Sequence, residues 1–141
     1  MEINRITGAV IDSAMKVHSA FGPGLLESAY KACLVYELRK RGLRVDVEVG
    51  LPLIYDRVKL ADVGYRIDLL VEHEVVVELK AVEIMAPIFE AQLLHYLKLS
   101  GKKVGLLINF KVFHLRDGIR GGDPDSTAEN AEERRGEDEV R

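Results

Sequence analysis

The residues of this chain best suited to chemistry are Asp68, Glu78 and Lys80. Glu78 and Lys80 lie in the run 75–81 (VVVELKA), whose β-branched residues predict a β-strand. Because side chains alternate across a strand, Glu78 and Lys80 share one face with Val76, while the other face is apolar. A lysine in that position could offset charge on a phosphate and help to orient a water molecule.

Asp68 is expected to join this face through a hairpin. If Val71 pairs with Val75 across the loop 72–74, Asp68 lies directly opposite Glu78, with their Cβ atoms about 5 Å apart. Two carboxylates at that separation repel each other unless a cation lies between them. Mg²⁺ or Mn²⁺ would fit there, because hard divalent ions prefer oxygen ligands. The spacing therefore predicts a metal site.

Further polar residues on predicted helices could approach the two carboxylates. Gln92 and Tyr96 are four residues apart, so they lie on one face of a predicted helix. Glu27 falls in the first turn of an earlier helix, and Tyr30 lies one turn later.

Ordinary surface interactions explain the same residues. A Glu-x-Lys triplet is expected about once by chance in a chain of this composition. Asp68 could pair with Arg66 or Lys80, and Glu27 could interact favourably with the N-terminus of its helix. The polar residues of the later helix could simply be exposed. The residues alone therefore leave a metal site and a solvated surface both open.

The periodicity of apolar residues predicts an α/β fold with a mixed central sheet, two leading helices and one crossover helix. The predicted helices are 3–21, 25–41 and 87–100. The predicted strands are 43–49, 51–55, 58–61, 65–71, 75–81 and 104–110, with an edge strand at 112–116.

Charge is unevenly distributed along the chain, whose net charge is −3. Residues 118–141 hold four arginines and eight acidic residues, a net charge of −4, so the preceding residues carry +1. This segment is too poor in apolar residues to offset the entropy of ordering. The prediction is a single domain at 1–117 followed by a disordered acidic tail at 118–141.

Composition excludes several classes of protein. Cys33 is the single cysteine, so neither an internal disulfide nor a cysteine-based metal site can form. No apolar run approaches the ~18 residues of a membrane span, and the first residues lack the apolar region of a secretory signal. A cytoplasmic protein without a membrane partner is the expectation.

Five motifs resemble the GxxExxY family in order and spacing, over residues 2–117. They are 24–30 (GLLESAY), 64–71 (GYRIDLLV), 77–82 (VELKAV), 91–97 (AQLLHYL) and 105–110 (GLLINF). That family resembles the PD-(D/E)XK nuclease superfamily, and its Gln-x-x-x-Tyr helix is similar to that of RecB-like and Cas4-like nucleases. The resemblance implies a restriction-endonuclease-like core and hydrolysis of phosphodiester bonds that depends on Mg²⁺ or Mn²⁺.

Carried over to this chain, the resemblance implies a role for each motif residue. Asp68, Glu78 and the carbonyl of Leu79 become metal ligands, and Lys80 becomes the catalytic lysine. Glu27, the acidic residue of the leading motif, becomes a candidate for a further metal ligand.

The resemblance also implies a role for the third predicted helix and shows one departure from the superfamily pattern. Gln92 and Tyr96 are implied to support the site or to contact the nucleic-acid strand. His18 on the first helix is a weaker candidate ligand, since a surface histidine is the commoner explanation. Ile67 precedes Asp68 where a proline gave the superfamily its name.

The implied substrate is nucleic acid, with DNA preferred over RNA. A domain of this size has no obvious surface for holding a duplex, which favours self-association or a partner protein. The alternative from another functional class is a catalytically silent nucleic-acid-binding or assembly module. The joint presence of Asp68, Glu78 and Lys80 favours the enzyme, because a silent module needs none of them.

Overall fold

The computed structural model describes residues 1–123, which form three α-helices, five β-strands and a short 3-10 helix. In chain order the elements are α1 (Ile3–Phe21), α2 (Glu27–Lys40), β1 (Val45–Tyr55), β2 (Val58–Val71), β3 (Val75–Lys80), α3 (Pro87–Ser100), β4 (Val104–Asn109), the 3-10 helix (Leu115–Gly118) and β5 (Ile119–Gly122). No helix within these residues is both long and apolar enough to cross a lipid bilayer.

The five strands form one mixed sheet in the order β1-β2-β3-β4-β5. β1, β2 and β3 are antiparallel neighbours, β3 and β4 are parallel, and β5 returns antiparallel to β4. A parallel neighbour requires a crossover, and α3 supplies it between β3 and β4. The predicted α/β fold with a mixed sheet, two leading helices and one crossover helix is confirmed.

Apolar clusters cover both faces of the sheet, which explains the continuous apolar runs of β3 and β4. The first cluster lies under α1 and α2 and includes Val75, Val77 and Leu79 of β3. The second lies under α3 and includes Val76 of β3 and Leu107 of β4. The period-2 alternation of β3 therefore distributes its side chains as the sequence predicts.

Tyr30 fixes the turn between the two leading helices. Its ring is fully buried and stacks on Phe110 with a centroid distance of 4.4 Å. Its hydroxyl donates a hydrogen bond to the carbonyl of Gly22 and accepts one from the Leu25 amide at 3.0 Å. Gly22 has a φ of 67°, a left-handed conformation that glycine adopts without strain. Tyr30 thereby determines where α2 begins.

A long hairpin includes the two short strands predicted at 51–55 and 58–61. β1 and β2 pair as far as Tyr55 and Val58. Between them, Asp56 and Arg57 have φ values of 54° and 61°, which suit a two-residue type I′ turn. The strands at 51–55 and 58–61 and the turn between them are confirmed. Only the predicted breaks from the flanking strands are wrong, because β1 and β2 each continue without interruption.

The structure also corrects the end of the domain. The predicted edge strand at 112–116 is instead irregular and then helical, and the edge strand is β5, within the segment predicted to be disordered. β5 pairs with β4 from Ile108–Ile119 to Gly105–Gly122. The boundary predicted at 117 is therefore wrong, and the remaining tail, 124–141, lies outside the described residues.

Hydrophobic patterning missed β5 because other interactions hold this strand. Main-chain hydrogen bonds to β4 do not depend on apolar side chains. Arg120 of β5 lies 3.7 Å from the carboxylate of Glu90, which is buried in α3. Gly122 lets the strand approach α3, since a Cβ there would lie 3.1 Å from the Leu94 side chain.

Alanine substitutions at two glycines near β5 test this packing. A Cβ on Gly118 would lie 2.2 Å from the carbonyl oxygen of Asn109, whereas a Cβ on Gly121 would meet nothing within 4 Å. We expect Gly118→Ala to lower the free energy of unfolding by about 1–3 kcal/mol, the usual cost of overpacking. Gly121→Ala should change it by less than about 1 kcal/mol. Urea titration followed by circular dichroism gives both values, and equal effects would show that the 3-10 helix does not pack against β4.

Candidate active site

Asp68 and Glu78 meet at the point where β2 and β3 stop pairing through their main chains. The ladder has the predicted register, with Val71 opposite Val75, and ends at Leu69 opposite Val77. Beyond it, the Asp68 amide donates to Oε1 of Glu78 at 3.0 Å, and the Leu79 amide donates to Oδ2 of Asp68 at 2.8 Å. Each carboxylate therefore accepts a hydrogen bond from the opposite strand.

The strand alternation breaks at the same level of the sheet. Ile67 packs in the second apolar cluster and Leu69 in the first, although residues two apart in a regular strand share a face. On the neighbouring strand, Glu48 has a φ of 53°, a conformation uncommon for residues other than glycine. This local irregularity directs Asp68 toward α2, so the two carboxylates meet in the gap between β2 and β3.

Lys31 is a site residue that the sequence interpretation did not identify. Its Nζ forms an ion pair with Glu48 and lies 3.6 Å from Oδ1 of Asp68. Burial disfavours the charged amine, but the hydrogen bond to Glu48 and the charge of Asp68 outweigh it and raise the pKa of Lys31. A signal was present in the sequence, since Lys31 follows Glu27 by four residues and so shares its helix face.

Burial changes the protonation of Glu78. Its side chain is 7% exposed. Burial and the adjacent Asp68 carboxylate raise the pKa of Glu78 to about 8, although the hydrogen bond from the Asp68 amide and the charge of Lys80 oppose the shift. When two carboxyl groups are buried side by side, ionisation of the second one is unfavourable. A divalent cation can take the place of the proton at such a pair. The donor set fits Mg²⁺ or Mn²⁺, which need only one or two carboxylates.

Glu27, the first residue of α2, lies within electrostatic reach of the carboxylates. Partial burial and the charge of Asp68 raise its pKa, and Lys80 and Lys31 lower it. Among residues 1–123, however, no three Asp, Glu, His or Cys side chains are close enough together to hold a metal ion. Glu27 therefore does not complete a three-residue cluster with Asp68 and Glu78 in this conformation, and its role as a ligand stays a prediction.

Lys80 is half-buried at the end of β3 and near both acidic groups. Its positive charge opposes the increase in the pKa of Glu78 and of Glu27. Its Nζ lies 4.6 Å from the ring centroid of Phe89 in the first turn of α3. A cation over an aromatic face is attracted by the ring quadrupole, so Phe89 limits the positions that the amine can occupy.

Of the two polar residues predicted on α3, Tyr96 lies within electrostatic reach of the carboxylates. Burial together with the charges of Glu78 and Asp68 raises the pKa of the Tyr96 hydroxyl. Gln92 is exposed and makes no side-chain hydrogen bond with the other described residues. One helical turn, about 5.4 Å along the axis, separates the two residues, so a shared helix face does not bring both to the same point.

His18 lies elsewhere in the fold. Its Nε2 donates a hydrogen bond of 2.7 Å to the carbonyl of Val112. It lines a different cavity, beside His114, from the one that contains Glu27 and Lys80. His18 therefore lies away from this site. The expectation of a surface histidine is wrong, because α1 buries His18 against the segment that leads into the 3-10 helix.

The raised pKa of Glu78 predicts a dependence of stability on pH in the presence of a chelator. A carboxyl with a pKa of about 8 in the folded chain and 4.5 when unfolded favours folding while it is protonated. Stability should therefore fall as pH rises between these values. Glu78→Gln keeps a hydrogen-bond acceptor but cannot ionise, so the wild type should lose more than about 1 kcal/mol relative to it between pH 5 and 8.

Urea midpoints at the two pH values measure this difference. Glu74→Gln, at an exposed position of the hairpin loop, is the matched control and should retain the wild-type pH dependence. Parallel pH profiles for the wild type and Glu78→Gln would contradict the raised pKa.

A sequence model of the PD-(D/E)XK nuclease superfamily matches residues 4–121. No curated protein and no solved structure matched the chain. The match reaches into β5, and the five-stranded mixed sheet with three helices is consistent with the restriction-endonuclease-like fold of that superfamily. Its nucleases generally use divalent metal ions to hydrolyse phosphodiester bonds. From this match and this fold we conclude that the chain belongs to the PD-(D/E)XK nuclease superfamily.

Proposed function

We propose that this chain is a metal-dependent nuclease whose active site consists of Asp68, Glu78 and Lys80. The observation that carries the proposal is the pair of carboxylates in the gap between β2 and β3, with a lysine beside them. A structural hydrogen-bond network has no need of a second acidic group at a buried position, where ionisation is unfavourable. A site that receives a cation does need one.

The carboxylates of Asp68 and Glu78, with the carbonyl of Leu79, would hold Mg²⁺ or Mn²⁺. When bound, such an ion lowers the pKa of water and offsets negative charge on a phosphate. Lys31 forms an ion pair with Oδ1 of Asp68, and the Leu79 amide donates a hydrogen bond to Oδ2. The orientation of the Asp68 carboxylate is therefore fixed before a ligand binds.

Lys80 supplies a fixed positive charge where a phosphate would approach. Its amine would stabilise the negative charge that develops on the phosphate and hold the attacking water by a hydrogen bond. Tyr96 would donate a hydrogen bond to the substrate strand or to a water molecule of the site. Glu27 as a further ligand and Gln92 as a strand contact belong to the same proposal.

We also propose that the chain is a member of the GxxExxY family, because residues 24–30 carry its motif and two of the motif residues, Glu27 and Tyr30, have distinct roles in the described structure. Glu27 begins α2 near Lys80, and Tyr30 holds the turn before that helix through its hydroxyl. DNA as substrate, a cytoplasmic location and a homo-oligomer or partner protein are further parts of the proposal.

One observation favours the alternative, a catalytically silent nucleic-acid-binding or assembly module. Lys31 already pairs with Asp68, and a main-chain amide already donates to each carboxylate. A silent module could keep this arrangement as a purely structural network, with Glu78 protonated. The two functions differ in whether the site takes up a metal ion.

Two substitutions separate metal binding from hydrolysis. Lys80→Met keeps most of the side-chain stem and removes the charge, so Mn²⁺ binding should persist while hydrolysis falls by at least ~10²-fold. Glu78→Gln removes a ligand charge and should weaken both. Calorimetric titration with Mn²⁺, beside assays on single- and double-stranded DNA and RNA with Mg²⁺, Mn²⁺ or chelator, measures the two properties.

Lys103→Met is the matched control. Lys103 is exposed and precedes β4, so it lies at the opposite end of the parallel strands from Lys80. Its loss should therefore leave both properties unchanged. If the wild type neither bound Mn²⁺ nor cut any of the four substrates, the silent module would become the better explanation.

A further inference from the structure

A cavity of about 570 Å³ lies beside Lys80, between the beginnings of α2 and α3. Its lining includes Leu25, Glu27, Lys80, Val82, Phe89 and Lys111. The cavity sits at the carboxyl ends of the parallel strands β3 and β4. Ligands of open α/β sheets commonly bind at that edge.

Buried polar groups fix two walls of this cavity. Asn109 is 2% exposed; its Nδ2 donates to the Val82 carbonyl at 2.8 Å, and its Oδ1 accepts from the amides of Val82 and Lys111 at 3.0 and 3.2 Å. The segments that follow β3 and β4 are thereby held together. On the opposite wall, the Tyr30 hydroxyl accepts a hydrogen bond from Leu25. The cavity is therefore preorganised rather than a gap between mobile loops.

The charges of the lining suit an anion next to an apolar group. Lys80 and Lys111 are the cations, and Glu27 is the acidic residue, on the side of the carboxylate pair. Lys111 lies 3.5 Å from Glu83, but the two side chains are 47% and 82% exposed. Such an exposed pair is weak, so a phosphate can replace Glu83 as the partner of Lys111. The rest of the lining is mostly apolar and includes the Phe89 ring.

We propose that this cavity binds one unpaired nucleotide of the substrate strand, with its base against the apolar lining and a phosphate at Lys111. The volume falls within the range of about 300–1,000 Å³ that is usual for small-molecule sites. Sites for single strands combine cationic groups with an aromatic ring in this way. Bases inside a duplex are stacked and paired, so they cannot enter unless they are extruded. The inference deepens the proposed function by naming single-stranded nucleic acid, or an unpaired strand end, as the substrate.

Binding of a fluorescent single-stranded DNA of about 16 nucleotides in EDTA tests the proposal without hydrolysis, since a strand of that length also forms a stable duplex for comparison. In fluorescence anisotropy, the wild-type protein should bind the single strand at least about tenfold more tightly than it binds a duplex of the same sequence. Lys111→Ala should weaken single-strand binding by about tenfold and reduce the slope of log K against log salt by about 0.7, the value for one phosphate contact on a single strand. Its melting temperature should be unchanged, because Lys111 is exposed.

Lys103→Ala is the matched control, since it removes the same charge at the opposite edge of the sheet. Equal binding of duplex and single strand, no detectable single-strand binding, or an equal loss in the two lysine variants would each overturn the proposal. If the protein binds the strand in EDTA but cuts nothing with Mg²⁺ or Mn²⁺, the nucleotide-binding proposal stands and the proposed nuclease function is contradicted. If it cuts duplex DNA and Lys111→Ala has no effect, the nuclease function stands and the nucleotide-binding proposal is contradicted.

Discussion

At the middle of the sheet, β2 and β3 exchange side-chain hydrogen bonds in place of main-chain ones. Asp68 accepts from Leu79, and Glu78 accepts from Asp68. A buried main-chain amide must find a partner, so the strands can separate here only because the two carboxylates replace the ladder. The same bonds bring two acidic groups together away from water, which is unfavourable without a proton or a cation. The rest of the site follows from that constraint.

Two buried polar residues keep the surroundings of this pair in place. Tyr30 ties the turn before α2 to the helix itself, and Asn109 ties the chain after β3 to the chain after β4. Neither residue is proposed to touch a substrate. Each satisfies main-chain groups that would otherwise lack partners, and each thereby fixes the position of a charged residue, Glu27 or Lys111. Precise placement of a site depends on such supporting contacts.

Much of the site could be predicted because it rests on local geometry. An odd-length loop between two strongly patterned strands sets the register up to Leu69 opposite Val77, and the next residue of each strand is Asp68 or Glu78. Lys31 and Asn109 were missed because their contacts lie 37 and 27 residues away, with Asp68 and Val82 respectively. Helix periodicity could place Lys31 on the face of Glu27, but it carries no information about which residue of another element Lys31 or Asn109 contacts.

The sequence by itself determined the helices, the central strands and the hairpin register, because the spacing of apolar residues selects secondary structure and burial locally. Tertiary structure alone decided where the domain ends, since β5 is held by main-chain pairing and by the ion pair of Arg120 with Glu90 rather than by an apolar pattern. It also decided which polar residues meet. Tyr96 lies within electrostatic reach of the carboxylates and His18 does not, because the packing of α3 and α1 against the sheet fixes where each helix directs its side chains.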